Sequence, residues 1–191
     1  MIRDYKTFNV FPIPVGRIVT NMPNGEITRF TCEFLKEHKL GYTTYHDSAV
    51  NDIYQRDMPA AEQFVEMVTT AANRFMNEWG VSNNGTPYVY FWASHYQRGD
   101  NHHAHVHPVS TLSGTYWPVA EDRAAPLIFE SPAEARMMQY PPKQEHYEHP
   151  YQPKTGDMLI WPSWLKHKVL TQNNDAMRVA VSFNVVYNFY D

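Results

Sequence analysis

Four of the ten histidines in this 191-residue chain lie within six positions, at His102, His103, His105 and His107. Neutral imidazole is the most common protein ligand for transition metals such as iron, zinc, copper and nickel. Because residues two apart on a β-strand point to the same face, His105 with His107, or equally His103 with His105, can supply two ligands to one metal ion. The alternative for His102 and His103 is a histidine-rich surface tract.

A further histidine and an arginine follow about sixty residues downstream, in a second apolar region. The segment 156–169 contains a short apolar strand, a Pro-Ser turn and His167, and Arg178 starts another strand. Three protein ligands on one face of a metal ion leave three positions open for small molecules and dioxygen. A guanidinium inside a β-sheet protein requires an anion, and a carboxylate is a planar partner for it. The alternative for Arg178 is a surface salt bridge.

These residues are part of a longer ordered pattern that runs from about Trp92 to Asn184, roughly half of the chain. Its first half is formed by Gly99, Asp100, Asn101, His105, His107, Pro108, Ser110, Ser113, Gly114, Tyr116 and Trp117. Its second half is formed by Pro153, Gly156, Asp157, Trp161, Pro162, Ser163, Trp164, His167, Val169, Arg178, Ser182, Phe183 and Asn184. In this pattern the chain resembles the Fe(II)- and 2-oxoglutarate-dependent oxygenase superfamily, and in particular a branch found in bacteria and their phages.

The resemblance implies that His105, His107 and His167 bind Fe(II), because Pro108 follows the second histidine of the family pattern. The superfamily usually carries Asp or Glu where this chain has His107, so the site has one negative charge fewer. Three-histidine Fe(II) sites occur in cupin-type dioxygenases that do not use 2-oxoglutarate. The carboxylate of Asp157 is expected to begin a strand rather than to bind the metal.

The resemblance also implies that Arg178 binds the distal carboxylate of 2-oxoglutarate. Strand alternation places Arg178, Ala180 and Ser182 on one face. The superfamily often has Ser or Thr two residues after the arginine, and this chain has Ala180 there, so either Ser182 supplies the hydroxyl group or the carboxylate oxygen has another donor. Tyr116 is a second candidate contact to the cosubstrate, and its alternative is a core tyrosine with its hydroxyl group at the rim.

Three functions remain as hypotheses. The leading one is an oxygenase that converts 2-oxoglutarate and dioxygen into succinate and carbon dioxide while hydroxylating a peptide, nucleoside or small metabolite. Trp161 and Trp164 are expected to shape its pocket. The second is a cupin-type three-histidine dioxygenase in which Arg178 binds the carboxylate of the substrate itself. The third is a non-catalytic jelly-roll module with a structural metal, closed by a fourth ligand such as His103.

Composition places the chain among folded, single-domain proteins. Apolar residues make up 43% and aromatic residues 15%, which argues against disorder, and residues 1–191 fit one domain. The net charge of −4 gives no electrostatic footprint for nucleic acid. One cysteine, Cys32, cannot form an internal disulfide. Because the sequence has no apolar signal segment and no membrane-length apolar run, it predicts a cytoplasmic location. It leaves the oligomeric state open.

The order of elements predicts a mainly β protein with a jelly-roll core and two N-terminal helices packed outside. The resemblance implies that this core is a cupin-like double-stranded β-helix with its metal at the open end. Apolar periodicity predicts helices at 26–38 and 59–79, and two prolines favour an edge strand at 7–20. A helical part of about 1–82 thus precedes a core of about 87–191. Strands are predicted at 88–97, 103–107, 111–119, 127–130, 157–161, 167–171 and 178–189.

The segment 133–155 carries four prolines and has neither a helical nor a strand period. Long loops in compact domains often have a function. This segment is therefore interpreted as a lid beside the substrate opening, or equally as a passive excursion that covers the sheet. His146 and His149 within it are expected to be surface residues.

Overall fold

Three helices precede most of the strands in the computed structural model, which describes residues 12–81, 85–133, 138 and 147–187. The helices are α1 (Asn24–Glu37), α2 (Ser48–Asp57) and α3 (Ala61–Glu78). The strands are β1 (Gly16–Val19), β2 (Tyr88–Tyr96), β3 (His102–His105), β4 (Leu112–Ala120), β5 (Leu127–Glu130), β6 (Glu148–Tyr151), β7 (Asp157–Pro162), β8 (His167–Val169) and β9 (Arg178–Val186). They pair into an antiparallel five-stranded sheet of order β1-β7-β4-β9-β2 and an antiparallel four-stranded sheet of order β3-β8-β5-β6. The predicted mainly β class is confirmed.

Two hydrophobic cores lie on opposite faces of the five-stranded sheet. One face packs against the helices, through side chains such as Phe64 of α3 and Phe183 of β9. The other face packs against the four-stranded sheet, where Trp161 of β7 meets Phe129 of β5 with ring centroids 5.1 Å apart. The central strands are therefore buried on both sides.

The helices bury one face each against the large sheet. Phe64 and Val68 in α3 are fully buried, as the predicted apolar stripe requires. The two predicted helices correspond to α1 and α3, and α2 is a third helix that the sequence analysis did not predict, with Val50, Ile53 and Tyr54 facing the core. Asp47 caps α2 by accepting a hydrogen bond from the Val50 N–H at 3.1 Å, and the fully buried side chain of Tyr54 anchors it.

Strands β1 and β6 form sheet edges. β1 pairs with β7, as predicted for a proline-rich edge, while residues 7–11 of that prediction lie outside the described residues. β6 falls within the segment interpreted as a lid, and its Pro150 is tolerated because an edge strand does not need every N–H group. His149 is exposed on β6, as expected. The remainder of the lid hypothesis concerns residues 134–137 and 139–146, including His146, which lie outside the described residues.

Gly114 lies in the middle of β4, where the neighbouring atoms leave no space for a side chain. A Cβ atom at this position would overlap the Phe183 ring and the backbone carbonyl oxygen of Leu159. We therefore expect Gly114→Ala to lower the free energy of unfolding by about 3 kcal/mol, the upper range for overpacking. Urea denaturation measures this change.

Gly25 provides the matched control, since a Cβ atom there meets nothing within 4 Å. Gly25→Ala in α1 is expected to leave stability unchanged or to raise it by up to about 1 kcal/mol, because alanine favours a helix. Equal effects of the two substitutions would contradict the close packing at β4.

No helix in the described part of the chain is long and apolar enough to cross a bilayer.

Candidate metal and cosubstrate site

Three imidazoles meet where β3 and β8 lie side by side. His105 at the end of β3 pairs with His167 at the start of β8. His107 lies two residues beyond β3, and its backbone N–H donates to the Ser163 carbonyl at 3.0 Å. One ligand atom from each ring lies within 4.8 Å of the other two. The fold thus brings together the three histidines that the sequence predicted as ligands.

A bulge in β3 decides which histidines of the cluster point inward. His102 pairs with Val169 and His105 pairs with His167, so three steps along β3 match two steps along β8. His103 is exposed, whereas His102 and His105 line the cavity between the sheets. The pair of His103 and His105, which spacing alone left open, is therefore not assembled. His103 is also turned away from the position of a fourth ligand.

Hydrogen bonds to backbone carbonyl groups orient two of the three rings. Nδ1 of His105 lies 2.7 Å from the carbonyl oxygen of His103, and Nδ1 of His167 lies 2.8 Å from that of Leu165. A carbonyl oxygen only accepts, so both Nδ1 atoms carry the proton and both Nε2 atoms present a lone pair. Nε2 of His167 lies 3.2 Å from Nε2 of His107. Two nitrogens bound to one metal at about 2.1 Å are about 3.0 to 3.4 Å apart, so the His107 and His167 nitrogens are spaced as they would be around one metal ion.

Burial keeps the three imidazoles neutral at physiological pH. Loss of hydration, with a smaller effect from the neighbouring histidines, lowers the pKa of His107 to about 4 and the pKa of His167 to about 3. The pKa of His105 is also lowered by burial. Neutral imidazole is the form that binds metal, so the site is prepared for a cation.

These shifts predict how the stability of the metal-free protein depends on pH. Below about pH 6.5 the unfolded chain takes up protons on His107 and His167 that the folded chain does not bind. Stability is therefore expected to be independent of these groups above pH 7. It should fall by on the order of 1 kcal/mol per pH unit for each group as the pH decreases from about 6.5 to 4.

Urea denaturation of the metal-free protein between pH 8 and pH 4 measures this dependence. The slope should be shallower in His107→Ala, because one of the histidines with a lowered pKa is missing. A stability that stays constant from pH 6.5 to pH 5 would contradict the buried, neutral histidines.

Arg178 lies on the same cavity as the histidines and is 1% exposed. Its Nε–H donates to the Ala125 carbonyl at 3.0 Å, and its guanidinium carbon lies 4.2 Å from the centre of the Tyr96 ring. Burial lowers its pKa, and its Nη1 atom has no hydrogen-bond partner within the described structure. No Asp or Glu among the described residues lines this cavity. The alternative of a surface salt bridge is therefore wrong, and the cation lacks an anion.

The model of a protein family described as "Putative 2OG-Fe(II) oxygenase" matches residues 90–184, about half of the chain. The fold is similar to an oxidoreductase of the 2OG-Fe(II) oxygenase family from Burkholderia pseudomallei, with a TM-score of 0.51 and 12% identity. That match covers 68% of this chain and 59% of the other, so this chain spans less than two thirds of that protein. No curated protein matches the sequence.

Two further solved structures match over most of their length. A prolyl-4-hydroxylase from Pseudomonas putida has a TM-score of 0.57 and 11% identity, over 92% of this chain and 89% of that chain. AviO1 from Streptomyces viridochromogenes Tue57 has a TM-score of 0.64 and 10% identity, over 93% of this chain and 91% of that chain. These similarities confirm the jelly-roll fold.

The family match spans the segment that contains all three histidines and Arg178. The chain belongs to the 2OG-Fe(II) oxygenase family. Membership confirms the predicted enzyme class, an oxygenase, and the predicted cofactors, Fe(II) and 2-oxoglutarate. This member of the family thus groups three histidines, with His107 where the superfamily usually has a carboxylate.

The oxygenase presents the other predicted cosubstrate residue, Ser182, to the cavity. Ser182 and Ala180 both line it, and Oγ of Ser182 lies 3.1 Å from Oγ1 of Thr115 on the neighbouring strand. Tyr116 requires a correction, because it lies on the opposite face of β4, within the core against the helices. Its hydroxyl group donates to Asn24. Thr115, which the sequence analysis did not single out, takes its place on the cavity side.

Aromatic rings of the oxygenase surround the histidines. Trp161 contacts His167 edge-on, with centroids 4.9 Å apart, and Trp92 lies 5.7 Å from His107. Trp161 therefore shapes the site as predicted. Trp164 does not, because it is 48% exposed and does not line the cavity. The sequence analysis did not assign Trp92 and Tyr96 to the site. Both lie on the same face of β2 as Ser94, the face that lines the cavity.

Asp157 behaves as a strand-start residue rather than as a ligand. It begins β7, is 2% exposed, and accepts hydrogen bonds from Arg17 Nη2 at 2.7 Å and from the Tyr151 hydroxyl at 2.5 Å. Both acceptor oxygens are thus engaged outside the histidine cavity, whose lining does not include Asp157.

Proposed function

We propose that this oxygenase is a hydroxylase that binds Fe(II) through His105, His107 and His167 and holds 2-oxoglutarate with Arg178. The observation that carries the proposal is the buried guanidinium without an anion, on the cavity that the three imidazoles border. A planar, charged donor pair suits a carboxylate. The keto acid is the ligand of this family that provides one.

Charge balance also favours a dianion in this cavity. Fe(II) with three neutral imidazoles keeps both of its positive charges, and Arg178 adds a third. Since the described lining of the cavity includes no Asp or Glu, 2-oxoglutarate would neutralise two of these charges. In relatives with a carboxylate ligand the protein supplies part of the negative charge, whereas among the described lining residues here none does, and the negative charge comes from the cosubstrate.

The metal and the keto acid, when bound, supply the activation of dioxygen that hydroxylates a C–H bond and releases succinate and carbon dioxide. The protein contributes orientation and exclusion of water. The Nδ1 hydrogen bonds of His105 and His167 hold the imidazoles in place. Arg178, held by Ala125 and by the Tyr96 ring, fixes the cosubstrate.

The substrate is proposed to enter beside Trp92. Its ring contacts His107 on one side and the ring of Tyr45 on the other, with centroids 5.7 Å and 5.0 Å apart. Trp92 is buried while Tyr45 is 51% exposed, so these two rings connect the histidines with solvent. A peptide, nucleoside or small metabolite can approach along this wall.

The test is the stoichiometry of turnover in air. Fe(II)-loaded protein is incubated with 2-oxoglutarate and panels of peptides, nucleosides and metabolites, while succinate is followed by NMR and oxygen by electrode. A substrate should accelerate succinate formation and should gain one oxygen atom from labelled dioxygen. Oxygen consumption without loss of 2-oxoglutarate would contradict the proposal and would favour the cupin-type dioxygenase.

A further inference from the structure

His102 lies inside the proposed site, and neither the metal nor Arg178 accounts for it. Its ring stacks on the ring of His105, with centroids 4.3 Å apart and planes 20° from parallel. On its other side, Nδ1 lies 3.5 Å from the hydroxyl group of Tyr96, the ring over which Arg178 packs. His102 thus connects a proposed metal ligand with the residues around the guanidinium.

The backbone is shaped to bring this residue inward. Regular alternation along β3 would place His103, not His102, on the same face as His105. The bulge between His102 and His105 reverses this, leaving His103 exposed and His102 in the cavity lining. Bulges beside functional sites commonly redirect one side chain.

His102, like Ser182, lines the cavity as a candidate hydrogen-bond donor in place of Ala180. Ala180 lines the cavity two residues after Arg178, at the position where the family often has a hydroxyl group for the distal carboxylate. In the tautomer in which Nδ1 accepts from the Tyr96 hydroxyl, at 3.5 Å, the His102 ring carries its proton on Nε2.

We propose that His102 is a cosubstrate-binding residue whose Nε2–H donates to the distal carboxylate of 2-oxoglutarate beside Arg178, in place of the donor missing at Ala180. The inference rests on the proposed function, because it requires Arg178 to hold the same carboxylate. It adds a role for a histidine that is not a metal ligand. It also explains why four histidines, rather than three, are present in this segment.

The experiment measures ligand binding to the Ni(II)-loaded protein by calorimetry, since nickel avoids turnover in air. His102→Ala should weaken 2-oxoglutarate binding about 10- to 100-fold, the range for one charge-assisted hydrogen bond. Pyruvate lacks the distal carboxylate, so its affinity should change by less than about twofold. His102→Gln keeps an N–H donor and should restore part of the affinity, and His103→Ala on the exposed side of β3 is the matched control.

Each other outcome overturns the inference. Loss of Ni(II) affinity in His102→Ala would make His102 a metal ligand. An unchanged or increased affinity for 2-oxoglutarate would make it a bystander or an obstacle. Equal weakening of 2-oxoglutarate and pyruvate would place its contact away from the distal carboxylate. If the wild-type protein binds Ni(II) but not 2-oxoglutarate, the proposed function itself fails, which the wild-type titration reveals before any variant is compared.

Discussion

Arg178→Met is expected to reduce 2-oxoglutarate affinity by at least about 100-fold while leaving metal affinity unchanged. The substitution removes the buried cation that faces the cavity, and a carboxylate buried without its partner costs several kcal/mol. The same variant should be more stable than the wild type without ligand, by about 1 kcal/mol. The gain arises because a buried guanidinium with an unpaired Nη1 atom is replaced by an apolar side chain. Calorimetry and urea denaturation measure the two effects.

Arg98→Met is the matched control, because Arg98 is exposed and pairs with Asp175 at 2.8 Å. An exposed pair contributes little, so stability should change by less than about 0.5 kcal/mol and cosubstrate affinity should not change. If Arg178→Met binds 2-oxoglutarate as the wild type does, the guanidinium has another partner, and the proposed cosubstrate position is wrong.

His167→Ala is expected to reduce Fe(II) or Ni(II) affinity by at least about 100-fold, since it removes one of three ligands. Its Nε2 atom lies 3.2 Å from that of His107, so both nitrogens address the same space. A competition titration with a coloured chelator measures the affinity. Circular dichroism establishes that the variant still folds.

His149→Ala controls for the general loss of a histidine, because His149 is exposed on β6 and is not among the three grouped ligands. Its metal affinity should equal that of the wild type. Wild-type affinity in His167→Ala, or an equal loss in both variants, would contradict the assignment of the ligands.

The sequence predicts which side of a strand faces the cavity only where polar and apolar residues alternate along that strand. In β9, polar residues alternate with Val179, Val181 and Phe183, so the shared face of Arg178 and Ser182 was predictable. Strand β4 is buried on both faces, and its sequence therefore gives no sign of which side Tyr116 occupies. Its wrong placement follows from that missing signal.

The bulge in β3 was equally hidden from sequence. All the candidate residues in this segment are histidines, so a shift of one position changes the inward side chain without changing its chemistry. Only the pairing of His102 with Val169 and of His105 with His167 distinguishes His102 from His103. The ligand pair His105 and His107 came instead from the family pattern, which includes the proline after it.

Helix α2 and strand β6 depend on tertiary contacts that local sequence does not show. α2 is held by buried Asn51, which donates to the Phe91 carbonyl at 3.0 Å, and by buried Tyr54. β6 contains a proline and is stabilised by its pairing with β5. Elements with weak intrinsic preference of this kind form because the rest of the fold provides their partners.

Anaerobic titration of the Fe(II)-loaded protein with 2-oxoglutarate tests the central claim most directly. Chelation of the iron by the keto acid should produce a visible charge-transfer band that saturates at one equivalent. The band should be lost in both His167→Ala and Arg178→Met, because the first lacks a metal ligand and the second lacks the partner of the distal carboxylate. A wild-type protein that binds Fe(II) and shows no band at any 2-oxoglutarate concentration would contradict the account.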